Sequence, residues 1–334
     1  MAGVYNQNSG YGQAVLHGIR SIVPSPGNIF YVVDADDTDE GNYDKMQQIM
    51  TPDTGGIVRF HTTIAAAYAE CESNNNDVIV LDGNSTHPLT AELAMAKNRV
   101  HIVGLDYLMG IRRRYGQSSK ISIGVTTDAT ISAIKVTGTR CSIRGVKISS
   151  SNTEGESLYA VADGGEYTYF DCVEMYKSTD LDEDGAAELL CNGDSSHYKR
   201  CYIGSTANAI TATGARPCVL FNRTTISGKV ARDVTFEDCI FARKAGSVNN
   251  TMMYGSGATD IERLCYVKDC LFYNNLLAAA DPDEGIEFAS AQTEGSMILK
   301  GCASVSITKL SGTTGVFTAD PASNAAGGES TQLA

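Results

Sequence analysis

Three acidic clusters are the residues of this 334-residue chain best placed to do chemistry: Asp34–Glu40, Asp180–Asp184 and Asp281–Glu284. The middle one reads Asp180-Leu-Asp-Glu-Asp-Gly185 and matches the first half of a calcium loop, whose alternate carboxylates supply hard oxygen ligands. The bidentate Glu that closes such a loop would fall at position 191, which is Cys, so Glu188 is the nearest substitute. Asp180, Asp182 and Asp184 are therefore the candidate Ca²⁺ ligands. With Glu188 they are also the first candidates for acid–base work, since cleaving a glycosidic bond needs two carboxylates flanking it. The competing reading is a solvated acidic turn.

Thiols and imidazoles give a weaker signal. Ten cysteines occur, but no Cys-x-x-Cys pair, and the five histidines are scattered, so a zinc site has no support. His197, in Ser-Ser-His-Tyr, reads as a turn or packing residue. The first ten residues lack the charged start and apolar core of a signal peptide, which points to synthesis in a reducing cytoplasm and argues against disulfides. No run of 18 apolar residues exists to span a membrane. A net charge of −13 repels phosphate backbones and excludes nucleic acid as an expected partner. Arg112-Arg113-Arg114, the one dense basic cluster, reads as a solvated loop.

The cysteines are explained by the elements that carry them. Five segments share an apolar residue, two intervening positions and then Cys, marking Cys172, Cys201, Cys239, Cys270 and Cys302; Gly104 and Gly145 replace Cys in two earlier ones. The marks recur about every 30 residues. A weaker strand precedes most of them, and Gly, Asn, Asp, Ser and Thr fill the gaps. Two or three short strands per period describe the coil of a parallel β-helix, whose coils stack about 4.8 Å apart around one shared core. The marked cysteines then form an inward ladder, where a small, soft side chain suits a crowded stack.

Upstream, Ile29–Asp34 reads as a strand. Ile64, Ala67, Tyr68 and Cys71 recur at helical spacing behind Thr62 or Thr63 as N-cap, and Asp77–Gly83 opens the first coil. The helix is expected to cap the core. The expected organisation is an N-terminal arm over 1–27, ordered against a partner; strand, acidic loop and capping helix over 28–76; a β-helix of about seven coils over 77–310; and a tail over 311–334.

The run from Tyr31-Val-Val-Asp through Thr63-Ile-Ala-Ala-Ala to Asp77-Val-Ile-Val-Leu-Asp-Gly, with the later apolar-x-x-Cys coils, resembles the right-handed pectate-lyase-like β-helix proteins. That resemblance implies an all-β, right-handed parallel β-helix, but it covers lyases, hydrolases, tail spikes and structural virion proteins alike. The Gly-His-Gly and Arg-Ile-Lys motifs of its polygalacturonases are absent. Trp, a common sugar-stacking platform, is also absent; Tyr159, Tyr167, Tyr169, Tyr176 and Tyr198 are alternative platform residues, with core packing the simpler account. The function expected is a non-enzymatic structural protein of a phage-type virion, a capsid decoration, cement or spike component. Its expected partners are its own copies, as a homotrimer by family resemblance, together with the major capsid protein or other virion proteins. A polysaccharide-cleaving or glycan-binding β-helix is the alternative.

Overall fold

The computed structural model describes residues 10–33, 58–83, 85–124, 132–150, 158–177, 185–207, 216–244, 251–275, 284–307, 309–311 and 315–318. Apolar residues at every second strand position face one another around a central column, and their burial drives the stack. Three parallel sheets result, with eleven strands in the first and eight in each of the others. From Asp77–Leu81 onward each sheet gathers every third strand of the chain, so successive coils pair strand on strand into a right-handed parallel β-helix; Ile29–Val32 and Phe60–His61 extend the first sheet at its start. Eight strands in the second and third sheets count eight coils: the opening strand Asp77–Leu81 begins one, and the seven marked positions the rest.

Two columns of left-handed residues turn each coil. Between first- and second-sheet strands stand Gly145, Cys172, Arg200, Asp238, Asp269 and Gly301, at φ between 50° and 63°. Ahead of the first-sheet strands stand Asn76, Arg99, Arg140, Tyr167 and Ser195, and in the two longer strands Asp233 and Arg263 stand near the start of the strand itself, at φ between 50° and 71°. The ladder runs unbroken through the first corner: Gly145 N–H donates to Asp171 O, Cys172 to Lys199 O, Arg200 to Glu237 O and Asp238 to Lys268 O, each at 2.9–3.0 Å. Such regular bonding offsets the strain of the left-handed backbone.

This register corrects one expectation. Phe170 pairs with Tyr198 and Asp171 with Lys199, so Cys172 lies beside Arg200 at the corner, and Val173 fills the inward position beside Cys201. The inward column is Val146, Val173, Cys201, Cys239 and Cys270, with Cys302 partly buried at its end. Each of these thiols points at a carbonyl of the coil before: Cys201 at Phe170 O, Cys239 at Tyr198 O, Cys270 at Phe236 O and Cys302 at Val267 O, at 3.4–3.7 Å. A weak S–H donor of small volume meets both needs at that point. All ten cysteines are free. Gly145 likewise occupies the corner column, where a Cβ would stand 2.3 Å from Tyr107 Cβ.

The N-terminal end is closed as its spacing predicts. Helix α2 (Ile64–Glu70) starts at Thr63, whose Oγ1 accepts from Ala66 N–H, and lays Ile64 and Ala67 on the core. The segment expected as a partner-ordered arm instead contains helix α1 (Gly10–Ile22), which packs on its own chain. Val15, Ile19 and Val23 bury against Val78, Val80 and Val103 on the outer face of the first sheet, and against the short helix α3 (Leu105–Leu108). Gly18 permits this approach, since a Cβ there would lie 2.5 Å from Leu108 O. In the expected tail, Val316–Thr318 pairs with Met297–Leu299 as the last first-sheet strand of this same chain. Among the described residues no helix is long and apolar enough to cross a membrane.

Candidate functional site

Beyond the ground covered by α1 and α3, the outer face of the first sheet carries a dense polar array. The outward residue just before the corner reads Arg144, Asp171, Lys199, Glu237, Lys268 and Lys300 in successive coils, so charge alternates up the stack as far as Lys268. Stacking at about 4.8 Å brings residues some thirty positions apart within reach of one another.

Asp171 is the hub. Arg200 clamps it from the next coil with contacts of 2.5–2.9 Å to both oxygens, and Tyr107 OH donates to Oδ2 at 2.7 Å. Tyr169 OH adds a longer contact at 3.4 Å. Burial pushes the Asp171 carboxyl up, but Arg200 and Tyr107 outweigh it and hold the group below the usual carboxylate range. Glu237 receives Lys199 Nζ at 2.9 Å and Lys268 Nζ at 3.2 Å, and is held down to about 2, chiefly by the Lys199 bond. Arg114 reaches across from the loop after α3 to Asp238, so one residue of the basic triplet is paired, while Arg112 and Arg113 are exposed. At the other corner column, Arg232 binds Glu262 and Asp194, and Arg263 binds Asp233.

Burial disfavours the charged form of both imidazoles beside this array. His101 Nδ1 meets Ser142 Oγ at 2.8 Å, and burial with nearby Arg144 holds the ring down to about 4. His197 stands edge-on to Tyr169 with Nε2 3.3 Å from Glu237, though without hydrogen-bond geometry. Burial lowers its pKa further than Glu237 raises it.

Carboxyls whose pKa values are raised lie elsewhere, inside the solenoid. Asp163 is fully buried, accepting from Tyr198 OH at 2.6 Å, Thr168 Oγ1 at 2.9 Å and Gly165 N–H at 3.0 Å; desolvation still drives it upward. Tyr198 itself sits in the core stack between Phe170 and Phe236. Glu188, a candidate for a lateral groove, is sealed from solvent and paired with the equally buried Arg243 through contacts of 2.6 and 2.8 Å. Its other expected companions, Asp180, Asp182 and Asp184, lie outside the described residues, as do the Asp34–Glu40 cluster, Asp281 and Asp283.

The candidate tyrosines are dispersed. Tyr159 is buried on the third sheet, Tyr198 is in the core, and Tyr176 lies under Lys147 on the second sheet. Only Tyr167 and Tyr169 share the first-sheet face, each with an arginine over its ring: Arg140 at 5.8 Å and Arg144 at 4.6 Å. Among the described residues no group of three or more His, Cys, Asp or Glu is placed to hold a metal ion. On the first-sheet face cations hold the Asp171 and Glu237 carboxyls down, an arrangement that suits bracing of coil against coil.

No family model matches this chain, and no curated protein matches it. Among solved structures it is similar to pectate lyase Pel9A, at 11% identity and a TM-score of 0.52, covering 83% of this chain and 63% of that one. It also aligns with the pectin methylesterase from Aspergillus niger, at 12% identity and a TM-score of 0.49, over 77% and 80% of the two chains. A Geobacillus virus E2 protein, ORF18, aligns at 13% identity and a TM-score of 0.30, over 77% and 56%. What the pectate lyase likeness establishes is architecture: this chain is a right-handed parallel β-helix.

Proposed function

We propose that this chain is a structural protein of a phage-type virion, a capsid decoration, cement or spike component that assembles with its own copies. One observation carries the reading: the carboxylates Asp171, Glu237, Asp238, Asp194, Asp233 and Glu262 around the first-sheet face are all engaged by cations, most of them from neighbouring coils. A retaining or inverting hydrolase needs one carboxyl kept protonated beside the bond it cleaves. Here Asp163 and Glu188, the two carboxyls with raised pKa values among the described residues, have no solvent exposure. An internally braced, fully stacked body suits mechanical service. Mass spectrometry of gradient-purified particles from cells encoding the chain tests this: stoichiometric copies are expected, and particles lacking the chain would refute it.

Glycan binding or cleavage is the second reading, favoured by Tyr167, 58% exposed with Arg140 over its ring. Several solved structures of similar fold carry polysaccharide-acting names, such as pectate lyase. Release of unsaturated or reducing sugars from a polysaccharide panel would move the assignment to that class.

A further inference from the structure

Three arginines on the first-sheet face are held by tyrosine rings and not by carboxylates. Arg112 stands 5.1 Å over the Tyr107 ring, Arg140 5.8 Å over Tyr167 and Arg144 4.6 Å over Tyr169. None of the three forms an ion pair among the described residues. The carboxylates of the adjoining coil are already taken. Asp171, opposite Ser142–Arg144 in the ladder, is clamped by Arg200, and Glu166, whose carbonyl accepts from Arg140 N–H, is reached by Lys229 at 3.5 Å. The patch therefore carries positive charge that its own coils leave unmatched.

The strand register gathers the three into one patch. Ser142–Arg144 lies beside Tyr169–Asp171, with Ser142 opposite Tyr169, so Arg140 and Arg144 stand toward the two ends of one strand and lean on tyrosines of the next. Tyr107 and Tyr169 both reach Asp171, which makes the Arg112 and Arg144 stacks neighbours. Arg112 and Arg140 are exposed and Arg144 is half-buried. Arg144 Nε is buried without a hydrogen-bond partner, so this guanidinium has lost water at one N–H and gained no acceptor there. Stacking on the rings holds the guanidinium planes in place while leaving the outer N–H edges for a carboxylate.

We propose that the Arg112–Arg140–Arg144 patch docks an acidic peptide segment of a different protein, whose carboxylates accept from the three guanidinium groups. The proposal rests on the reading of the chain as a structural protein of an assembly. Charge complementarity selects the occupant. Single guanidinium forks, each fixed on its own ring, match the separate carboxylates of Asp and Glu side chains along an extended chain. Guanidinium groups already lie over the Tyr107, Tyr167 and Tyr169 rings, where the CH face of a sugar would stack, which disfavours a glycan. Two copies of this chain meeting through the patch would set arginine against arginine, which disfavours a symmetric pair.

Fluorescence anisotropy of a labelled glutamate hexapeptide, titrated with the full chain at low and high salt, tests this. Saturable binding is expected at low salt, weakened about tenfold or more when the charges are screened. Arg112→Gln/Arg140→Gln, both at exposed positions, is expected to weaken it about tenfold with an unchanged circular dichroism spectrum and melting temperature. Arg144→Lys keeps the charge but loses the flat fork, and should weaken binding severalfold with the fold intact. Absence of binding at low salt overturns the proposal, as does an affinity that both variants leave unchanged. Tighter binding of an oligouronate of equal charge, lost in the same variants, overturns it in favour of a glycan. Self-association of the parent in sedimentation velocity, abolished by the double variant, makes a second copy the occupant and overturns it too. Presence in particles is read separately, by mass spectrometry, so the structural reading can fail while the patch still binds the peptide.

Discussion

Arg243→Met is expected to cost several kcal/mol although the residue lies far from any exposed surface. Arg243 and Glu188 are 0% and 1% exposed and meet through two contacts of 2.6 and 2.8 Å. At an effective dielectric of about 20, unit charges 4 Å apart attract by ~4 kcal/mol. Removing one partner also strands the other charge in the core, for a loss of about 3–5 kcal/mol. Lys177, which also acts electrostatically on Glu188, sets the expectation toward the lower end. With Arg243 gone, burial alone pushes the Glu188 carboxyl up. A carboxyl with a raised folded pKa supports the fold below its unfolded value, near 4.3, and that support is lost as pH rises through the folded value. The variant should therefore be less impaired at pH 5 than at pH 8, by up to ~1.4 kcal/mol per pH unit. Glu188→Leu/Arg243→Met should recover most of the loss, because the desolvation of both ions disappears along with their attraction, as does the unpartnered Arg243 Nε. Urea unfolding at the two pH values is the assay. A single variant costing under ~1 kcal/mol, or a double variant as poor as the sum of the singles, would refute the buried-pair reasoning.

Three further outcomes follow from the same physics. Burial pushes the Cys239 thiol up, and those of Cys71 and Cys218 to about 12, and nine of the ten cysteines are buried, so a thiol reagent at pH 8 should titrate all ten only after denaturation, with partly exposed Cys302 reacting first; rapid reaction of Cys239 in the native protein would contradict the core column. His101, held down to about 4, must stay neutral in the fold, so its support is present above pH 6.5 and is lost as pH falls from there toward 4; melting temperatures of the parent should drop across that window, by the equivalent of ~3 kcal/mol, and His101→Gln should flatten the drop. Gly145→Ala should cost ~2–4 kcal/mol, combining left-handed strain with a 2.3 Å approach to Tyr107, whereas Gly228→Ala, at φ 73° with nothing within 4 Å, should cost only ~1 kcal/mol; equal urea midpoints for the two would deny the Tyr107 contact.

The coils were legible because their period survives in the chain: apolar residue, two positions, Cys, repeated at Cys201, Cys239 and Cys270. Cys172 misled because Tyr169 and Phe170 are adjacent aromatics, and only pairing with Tyr198 shows which of them faces inward. Helix α1 was hidden by a Gly-, Asn- and Gln-rich context, since its stability comes from packing on α3 and the outer sheet face and not from propensity. Glu188 looked like a groove residue because alternation does not say which charged positions will be matched inside; its partner lies 55 residues on. The outer array had a readable trace, the sign alternation Arg144, Asp171, Lys199, Glu237, Lys268 one position before each corner. The Arg200–Asp171 clamp had none, being made by stacking.

The columns of left-handed residues also decide where this molecule can change length. From Arg144 to Lys147, and at the five equivalent corners up to Lys300–Ala303, two residues always separate the first-sheet strand from the second-sheet strand. An insertion there would break the column of left-handed corner residues and its coil-to-coil hydrogen bonds, whereas the earlier connection from Gly104 to Lys120, which carries helix α3, precedes that column. The connections from second to third sheet face no such rule: they run from 3 residues after Leu89 to 14 after Gly204. A foreign peptide placed between Lys177 and Ala187 should therefore be displayed with the stack unchanged, while the same peptide after Asp238 should disrupt it. One corner sets the phase of the solenoid, and the other is free to diversify.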